Sequence, residues 1–499
     1  MTRRYRRRIA ALDFLVWPSV IIRMRPRSKT GFVAALLFAG CCAVPGAGSA
    51  QTLTETLSVA YRTNPQLLAE RARQRATDEG VARAWGGWRP TVTFFTEAGR
   101  ASDELRQNVP QAGNSTVRQD QNRSPLNAGV QVRQSIWDGG RTAADIRRAE
   151  QTVERGIAVL TAVEHQVLLD AATVHAELVR DIQIHALTVA NVEGLRTQRE
   201  IVARRMVARD ATRTDEAQAD SRIARGIAER ESADGTRRAT RSAYARVVGG
   251  EPSDNPQAAA LPPAELLPQS IDDARRLFVN NPDVRAASFA ITVADAETDI
   301  AWAGLLPDVA LRGTMRRLNQ QDSPNLGRDT KEVVVALNIP LYEGGVAAAR
   351  VRESKHTTGQ RQIELDQTRR RILDSITRAW EQVASARARI TALQQQIRAG
   401  QIAVDSLKAE VRVGSRTLTE QLDAEQDLLN ARIELQRAQR DEIVGSYQLA
   451  ALVGNLTAEK LRLPVEIYDP REHLERTRGR FTGTGTLVDY PPPPPPAAR

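Results

Sequence analysis

The stretch Ala60–Pro65 reads AYRTNP, and a related stretch, Phe278–Pro282, reads FVNNP. The Asn-Pro pairs in these two stretches lie 217 positions apart. The same spacing separates GWRPTV (Gly87–Val92) from GLLPDV (Gly304–Val309). Landmarks that recur at one fixed spacing indicate a structural unit that is present twice in the chain.

A third pair of stretches shows where the two copies differ. IWDGG (Ile136–Gly140) recurs as LYEGG (Leu341–Gly345), but here the spacing is 205 positions. One loop is therefore shorter in the second copy. A catalytic pocket is usually a single asymmetric place, so a long duplicated unit favours an architectural role such as a wall, a tube or a scaffold.

The composition supports a largely helical protein of two repeats. Aromatic residues make up only 4% of the 499 residues, and Ala, Arg, Gln and Glu dominate the middle stretches, which is typical of long helices. The formal net charge is +10, but residues 1–50 hold nine basic groups and one acidic group, so the rest of the chain carries +2. The basic balance is thus no evidence for nucleic-acid binding, and no nucleic-acid partner is expected.

Residues 1–50 have the pattern of a secretory signal peptide. Basic residues precede the apolar segment Gly31–Val44, and Gly48–Ala50 offers a small-residue cleavage site. Met24 is a possible true start, because the segment from Met24 to Ala50 is by itself a well-proportioned signal peptide.

Both cysteines of the chain, Cys41 and Cys42, lie in this leader. The mature chain would then contain neither disulfides nor thiolate metal sites. A lipoprotein signal in which Cys41 is acylated stays open as an alternative.

Each copy predicts the same order of elements: a helix, two strands separated by a loop, a very long helix, a turn and a long helix. The predicted organisation is a first repeat at 51–250 (strands at about 91–101 and 126–137, long helices at about 138–207 and 213–249), a linker at 251–270, a second repeat at 271–456 (strands at about 308–317 and 331–341, long helices at about 343–413 and 417–456) and a tail at 457–499 with a disordered, Pro-rich end. The polar stretch Ser102–Pro125 is predicted to be an exposed loop between the first two strands.

The strands of the second copy alternate between apolar and polar residues. Val309, Leu311 and Met315 share one face, whereas Arg312 and Thr314 share the other. In a secreted chain this alternation favours a membrane β-barrel wall with its polar face towards a lumen, and the alternative is a half-buried sheet of a soluble protein. Four aromatic residues where helix meets strand fit a membrane–water boundary: Trp88, Trp137, Trp302 and Tyr342.

Four strands cannot close a barrel, and lipid tolerates no open sheet edge. Three copies of the chain would supply 12 strands, which lies within the range of known barrels. A homotrimer embedded in lipid is therefore inferred from closure.

The long helices are predicted to begin at Asp138 and Glu343, acidic N-caps placed before Gly-Gly. The second of them carries an apolar residue at every seventh position: Ile376, Val383, Ile390, Ile397, Val404 and Val411. This pattern predicts side-by-side packing against a neighbouring helix.

Together these features resemble the TolC family of outer-membrane export channels over residues 51–470. The resemblance rests on the duplicated unit, the Asn-Pro openings, the Asp/Glu-Gly-Gly helix starts and the stretch VGSRTL (Val413–Leu418), which is followed by Asp423-Ala424. It implies a mainly α-helical trimer with a 12-stranded barrel in the outer membrane and a barrel of 12 helices in the periplasm. It also implies a periplasmic adaptor and an inner-membrane pump or ABC transporter as partners, and neither chemistry nor a cofactor.

The resemblance further implies a gate at the periplasmic tip of the helices. By position, Arg416 matches an arginine of the family's latch, Glu420 and Asp423 match two acidic rings, and Asp215 matches an acidic residue of the first copy. Val411 stands where the family has a tyrosine. The alternative interpretation, in which these are solvated charges at helix turns, stays open.

The two turns between the long helices are the expected contacts for the adaptor. Their named residues are Arg209, Asp210 and Ala211 in the first copy and Gly414 and Ser415 in the second. The alternative interpretation is that both turns are simple loops.

No phosphate-binding loop, nucleophile motif or metal-ligating motif is evident, so no enzyme, cofactor or metal site is predicted. The function expected is a passive exit duct of a tripartite efflux or type I secretion system. The alternative is a periplasmic coiled-coil adaptor or structural protein, which would also use long helices but would lack the four alternating strands.

Overall fold

A computed structural model describes residues 51–109, 115–209 and 211–486. The expected signal peptide at 1–50, with Met24 and Cys41, lies outside the described residues, as do Asp210 and the proline run at the end of the tail. The expectations for those segments therefore stay predictions.

Helices account for most of the described chain. Their bounds are α1 Leu53–Thr63, α2 Pro65–Trp85, α3 Arg141–Val207, α4 Arg213–Val248, α5 Ile271–Arg276, α6 Pro282–Ala303, α7 Val346–Arg412, α8 Leu418–Leu452 and α9 Pro470–Arg478. The two longest, α3 and α7, have 67 residues each. At about 1.5 Å of rise per residue each extends about 100 Å, which is too long for a compact domain.

The Asn-Pro motif of the first copy joins two helices end to end. Asn64 caps α2, because its side-chain oxygen accepts the backbone N–H groups of Gln66 and Leu67 at 2.9 and 3.3 Å. Its amide group donates to the carbonyl of Val247 in the last turn of α4 at 2.9 Å. Pro65 is the first residue of α2, where a missing N–H costs nothing. One side chain therefore provides hydrogen-bond partners for the free N–H groups at the start of α2 and for a free carbonyl at the end of α4.

The second copy repeats this junction. Asn281 accepts the N–H groups of Asp283 and Val284 at the start of α6 and donates to the carbonyl of Leu452, the last residue of α8, at 2.9 Å. Both asparagines are buried. Since α4 continues into α2 and α8 continues into α6, each repeat contains one continuous rod and one rod made of two stacked helices.

The four rods of the chain lie in one row. α3 contacts α2 and α4 on one side and α6 and α8 on the other, and α7 contacts α6 and α8. The predicted apolar seam of α7 faces this row, since Ile376, Val383, Val404 and Val411 are all buried. The order is thus the α2/α4 rod, α3, the α6/α8 rod and α7.

The strands follow the same order as the rods. Their bounds are β1 Thr91–Ala98, β2 Ala101–Val109, β3 Ser115–Arg123, β4 Leu126–Trp137, β5 Asp308–Asn319 and β6 Gly327–Asn338. The main sheet is antiparallel with the order β1-β4-β5-β6. β1 follows α2, β4 precedes α3, β5 follows α6 and β6 precedes α7, so each strand continues one rod.

The stretch Ser102–Pro125 is not the loop that the sequence predicted. Its strands β2 and β3 pair with each other as a separate hairpin. Its sequence contains few apolar residues, so the apolar–polar alternation that reveals a half-buried strand is weak. Cross-strand charge pairing replaces it near the base, where Arg123 Nε donates to Asp103 at 2.6 Å.

Two other boundaries also differ from the prediction. The last strand ends at Asn338 rather than near residue 341, and Pro340, which has no N–H to donate to a ladder, follows shortly after it. The long helices begin three residues after Asp138 and Glu343, because the two glycines in each Gly-Gly pair adopt positive φ angles and turn the chain. Asp138 lies outside the helix, although its carboxylate still accepts the N–H of Thr142 at 2.9 Å.

The tail is ordered further than the sequence predicted. Asp469 caps α9, and Pro470 is its first residue. His473 Nδ1 lies 3.0 Å from a carboxylate oxygen of the fully buried Asp78 on α2, and Arg471 pairs with Glu154 on α3 at 3.1 Å. These contacts fix a segment whose composition alone suggested disorder.

The main apolar core of the described residues lies between several helices and the segment that follows α8. It joins residues of α1, α3, α4, α8 and the segment after α8, with Leu57, Leu168, Tyr244 and Leu456 among them. α3 also contains a window apolar enough to cross a membrane. Its apolar residues, such as Leu168, belong to this core, which accounts for that composition.

Two predictions follow from these contacts, the first at the helix junctions. Replacement of Asn64 or Asn281 by Ala should each lower the free energy of unfolding by about 1–3 kcal/mol, since both a helix cap and a buried hydrogen bond are lost. Replacement by Asp keeps the capping oxygen but places a carboxylate oxygen against the carbonyl of α4 or α8, and it should also destabilise. Thermal unfolding in detergent, followed by circular dichroism, measures both.

The exposed neighbour Asn280 gives a matched control, and Asn280→Ala should leave the unfolding midpoint unchanged. If the Asp variants were as stable as the wild type, these residues would act as caps alone, and the end-to-end junction would contribute nothing.

The second prediction concerns acid stability. Burial, partly offset by a hydrogen bond to the Ala451 backbone, lowers the pKa of His165 to about 4. The unfolded chain binds a proton at this histidine near pH 6.5, whereas the folded chain binds it only near pH 4. The free energy of unfolding is therefore at its full value above pH 6.5 and decreases as the pH falls towards 4. The loss amounts to about 3 kcal/mol.

Unfolding midpoints between pH 7.5 and pH 4.5 test this, with His165→Asn as the variant. Asn retains a donor for the helix backbone but cannot titrate, so the variant should lose less stability on acidification than the wild type. His356 is exposed on α7, and His356→Asn should follow the wild-type curve. Parallel curves for all three proteins would contradict the assignment to His165.

Candidate functional site

Two exposed turns lie at the end of the rods that is distant from the sheet. One connects α3 to α4 and the other connects α7 to α8, and the two are equivalent at the 205-residue spacing of the repeats. In both, one residue is left-handed, with a φ of 62° at Arg209 and 79° at Gly414. Glycine adopts this conformation freely, whereas an arginine is strained by about 1 kcal/mol. The turn geometry is therefore preserved even where glycine is absent.

Each helix after a turn begins with a threonine cap. Thr212 Oγ1 accepts the N–H of Asp215, and the Asp215 carboxylate accepts the N–H of Thr212 at 2.8 Å, which forms a capping box. Thr417 Oγ1 accepts the N–H of Glu420 at 3.3 Å. Asp215 and Glu420 thus hold equivalent positions, but only Asp215 turns its carboxylate back onto its own cap.

Glu420 instead faces the arginine of the turn. Arg416 Nη1 lies 3.6 Å from Glu420, and its Nε lies 3.3 Å from Glu410 at the end of α7. All three side chains are about half exposed. Pairs of this kind contribute at most about 1 kcal/mol each, so they can be rearranged at little cost.

Asp423 connects the two repeats. Its carboxylate pairs with Arg222 on α4, across the gap between the two helical hairpins. One turn earlier, the hydroxyl of Thr419 donates to the side-chain oxygen of Gln218 at 2.9 Å. Two residues of α8 therefore contact two residues of α4, both at i, i+4 spacing. We call these four residues the cross-hairpin link.

Sequence reasoning missed Arg222, Gln218 and Thr419. The signal that was available is the repeat itself, because Gln218 is the first-copy equivalent of Asp423 at the 205-residue spacing. The structure also describes the surroundings of Val411, the residue that stands where the family has a tyrosine. Val411 is buried, and its carbonyl accepts a hydrogen bond from Arg205 of α3 at 2.9 Å, so its backbone contacts the first hairpin.

Most other charges near the tip are paired within one hairpin. Arg199 of α3 lies 3.5 Å from Glu216 and 3.1 Å from Asp220 of α4. Lys408 of α7 lies 3.1 Å from Glu425 of α8. These pairs hold each hairpin together, whereas the cross-hairpin link holds one hairpin to the other.

The surface of the turns combines exposed apolar and polar groups. Val207 is 89% exposed and Val413 is 79% exposed. Ala211 is partly exposed, and Ser415 is fixed by donating its N–H and its hydroxyl to the carbonyl of Glu410. Of the predicted docking residues, Asp210 lies outside the described part of the chain.

The four aromatic residues lie at the opposite end of the rods. Trp88 precedes β1, Trp137 ends β4, Trp302 lies in the last turn of α6 and Tyr342 follows β6. All four therefore occupy the boundary between the sheet and the helices. Trp302 also carries the ammonium group of Lys355 over its ring at 5.2 Å.

Comparison with known proteins agrees with this architecture. Residues 274–455 match the model of a family described as "Outer membrane efflux protein". The chain is 31% identical over 455 residues to the outer membrane efflux protein BepC of Brucella suis biovar 1, which covers 91% of this chain and 96% of that relative. It is 23% identical over 438 residues to the outer membrane protein TolC of Escherichia coli K12, covering 83% and 84% of the two chains.

A solved structure shows the same fold. The Campylobacter jejuni CmeC outer membrane channel has a TM-score of 0.69 at 14% identity, with 86% of this chain and 89% of that chain covered. The predicted resemblance, the helical barrel with a β part and the outer-membrane location are thereby confirmed, whereas the alternative of a periplasmic adaptor finds no support. Given its identity to BepC along nearly its whole length, the chain belongs to the outer membrane efflux protein family, and it is an outer-membrane channel with a periplasmic helical extension.

Proposed function

We propose that three copies of the chain close into one continuous duct, which serves as the passive exit of an efflux or type I secretion system. The sheets would form a 12-stranded barrel whose apolar face contacts outer-membrane lipid, with the boundary aromatic residues at its periplasmic rim. The rods would form a 12-rod barrel in the periplasm. No catalytic step is assigned to the chain.

The proposal rests on one observation: within the described residues, the sheet and the row of rods both end at the same two sides of the chain. β1 and β6 are the outer strands of the sheet, and the rods attached to them, α2/α4 and α7, are the outer rods of the row. α7 exposes Ile363 and Ile402, which are 72% and 70% exposed, away from its buried seam. Another copy placed on either side would cover both the strand edge and the rod flank.

Partners are inferred from the relatives and from the turns. Other relatives are named as protease secretion proteins, and BepC is named as an efflux protein. Both kinds of export need energy from an inner-membrane pump or ABC transporter, which an adaptor would connect to this duct. The exposed Val207 and Val413, with Arg209, Ala211, Gly414 and Ser415 beside them, support the two turns as the contact surface for that adaptor.

The gate is proposed at the same tip. The cross-hairpin link holds the α7–α8 hairpin against α4, and Arg416 holds Glu420 and Glu410 at the turn. Because these contacts are exposed, an adaptor that binds the turns can compete with them at small cost. Separation of the hairpins would then widen the tip.

The closure is tested by oligomeric state. The mature chain, extracted from the outer membrane in detergent, should migrate in unheated gel electrophoresis as a trimer-sized band and as a monomer after heating. A water-soluble monomer obtained without detergent would contradict the duct, since its apolar sheet face would then need no lipid.

The gate is tested by charge exchange at the cross-hairpin link. Arg222→Asp and Asp423→Arg should each raise the conductance of trimers in planar bilayers, because each places like charges together. The double variant restores an opposite pair and should return towards the wild-type conductance. Arg416→Ala should also raise it. Arg225 pairs with Glu229 on its own helix, and Arg225→Ala should have no effect.

Asp215 needs a separate control, because its carboxylate completes a capping box. If Asp215→Ala and Thr212→Ala raise conductance equally, the residue acts by fixing the start of α4. An effect of Asp215→Ala alone would support a direct role in the gate. Unchanged conductance in Arg222→Asp, Asp423→Arg and Arg416→Ala would overturn the gate at this tip.

A further inference from the structure

The register of the main sheet assigns each strand residue to one of two faces. Val92, Val132 and Val333 lie in one cross-strand row and belong to the apolar face, where Val92 and Val333 are 68% and 77% exposed. The neighbouring row on the opposite face contains Thr93, Gln131, Thr314 and Glu332. In a closed barrel this second face lines the lumen.

Two arginines lie directly opposite each other on the lumen face. Arg133 of β4 is the register partner of Arg312 of β5. Their row lies between two rows of the apolar face, one with Leu311 and Val335 and the other with Val132. The pair is therefore at the depth of the hydrophobic band, where an arginine is tolerated only if it faces water.

A third arginine follows on the same face. Arg316 lies two rows of this face farther towards the loops, opposite Gly129 of β4. A Cβ atom on Gly129 would lie 2.8 Å from the Cβ of Arg316 and 2.5 Å from the carbonyl of Met315, so no larger residue fits there without a shift. The glycine leaves room for the arginine. Arg316 thus adds a third positive group to the lumen face, two rows away from Arg133 and Arg312.

These three arginines outnumber the acidic residues beside them and form no ion pair. In the part of the chain that the structure describes, none of them has an acidic group within 4.0 Å. Glu332 lies on the same face, in the row between those of Arg312 and Arg316, so each chain places three arginines against one glutamate here. Arg317, the next residue, points to the other face and forms two hydrogen bonds of 2.8 Å with Asp329. Like charges placed directly opposite in a sheet are destabilising. The sheet thus pairs Arg317 on its lipid side, whereas Arg133, Arg312 and Arg316 on its lumen side form no ion pair.

We propose that Arg133, Arg312 and Arg316 form a binding belt for anionic solutes inside the barrel, with phosphate- or carboxylate-bearing molecules as its ligands. The belt rests on the proposed trimer, which would bring nine guanidinium groups together. The planar guanidinium fork suits such oxyanions, and six of the nine groups lie at one depth. The barrel would attract anions, whereas the acidic residues at the tip would attract cations.

Block of ionic current by tripolyphosphate tests the belt in full-length trimers. Added on the side of the strand loops, tripolyphosphate reaches the belt without passing the acidic tip, so it should block the wild type at lower concentration from this side than from the helical side. In the Arg133→Gln/Arg312→Gln variant, the half-blocking concentration should rise by about tenfold, in line with the loss of charge-assisted contacts. Arg316→Gln should give a smaller rise.

Arg317→Gln is the matched control, since it removes a charge from the same strand on the opposite face. It should leave the half-blocking concentration unchanged. If the wild type conducts but shows no sided block, or if Arg317→Gln weakens the block as much as the double variant, the belt is wrong while the duct stands. If no conducting trimer forms in the wild type, the proposed duct itself fails. Should the double variant not assemble, the sidedness in the wild type and Arg316→Gln still decide.

Discussion

The constraint on which the structure depends is that a β-sheet in lipid must have no open edge. The four-stranded sheet of this chain ends in β1 on one side and β6 on the other, and neither outer edge is paired within the described residues. Each unpaired backbone group in hydrocarbon costs several kcal/mol, so isolated chains are strongly disfavoured in the membrane. The row of rods has the same two open sides, so the proposed association of three copies would complete the sheet and the row of rods together.

The helix junctions make this correspondence possible. Each of the four strands of the main sheet continues into one rod, but only two of the rods, α3 and α7, are single unbroken helices. Asn64 and Asn281 supply the other two by joining α4 to α2 and α8 to α6. A single asparagine can do this because its oxygen suits a helix start and its amide suits a helix end, which leaves few backbone groups without partners at a buried site.

The sequence predicted the features that depend on periodicity and missed those that depend on distant pairs. Val333, Val335 and Leu337 revealed a strand because one face is apolar, and Ile376 to Val404 revealed the packed seam of α7. The β2–β3 hairpin has few apolar residues and therefore left only a weak pattern in the sequence. The partner of Asp423 could not be found either, because Arg222 lies 201 residues away and only the packing of the two hairpins brings the residues together. Arg133 and Arg312 are likewise far apart in sequence, and only the register of β4 and β5 shows that they lie opposite each other.

The duplication also shows where the two halves have diverged. Asp215 and Glu420 occupy equivalent positions after equivalent threonine caps, but Asp215 bonds to its own cap whereas Glu420 faces Arg416. The carboxylate of Asp215 accepts the N–H of Thr212 and is thereby occupied within one helix. Length alone does not decide this, since Glu55 closes a capping box with Thr52 at the start of α1. The second turn has Arg416 where the first has Ala211, and Glu420 faces that arginine. In the proposed gate, the pairs that Arg416 forms with Glu410 and Glu420 are therefore the exposed contacts of the turns that can change partners, and we expect movement at the tip to begin with α7 and α8.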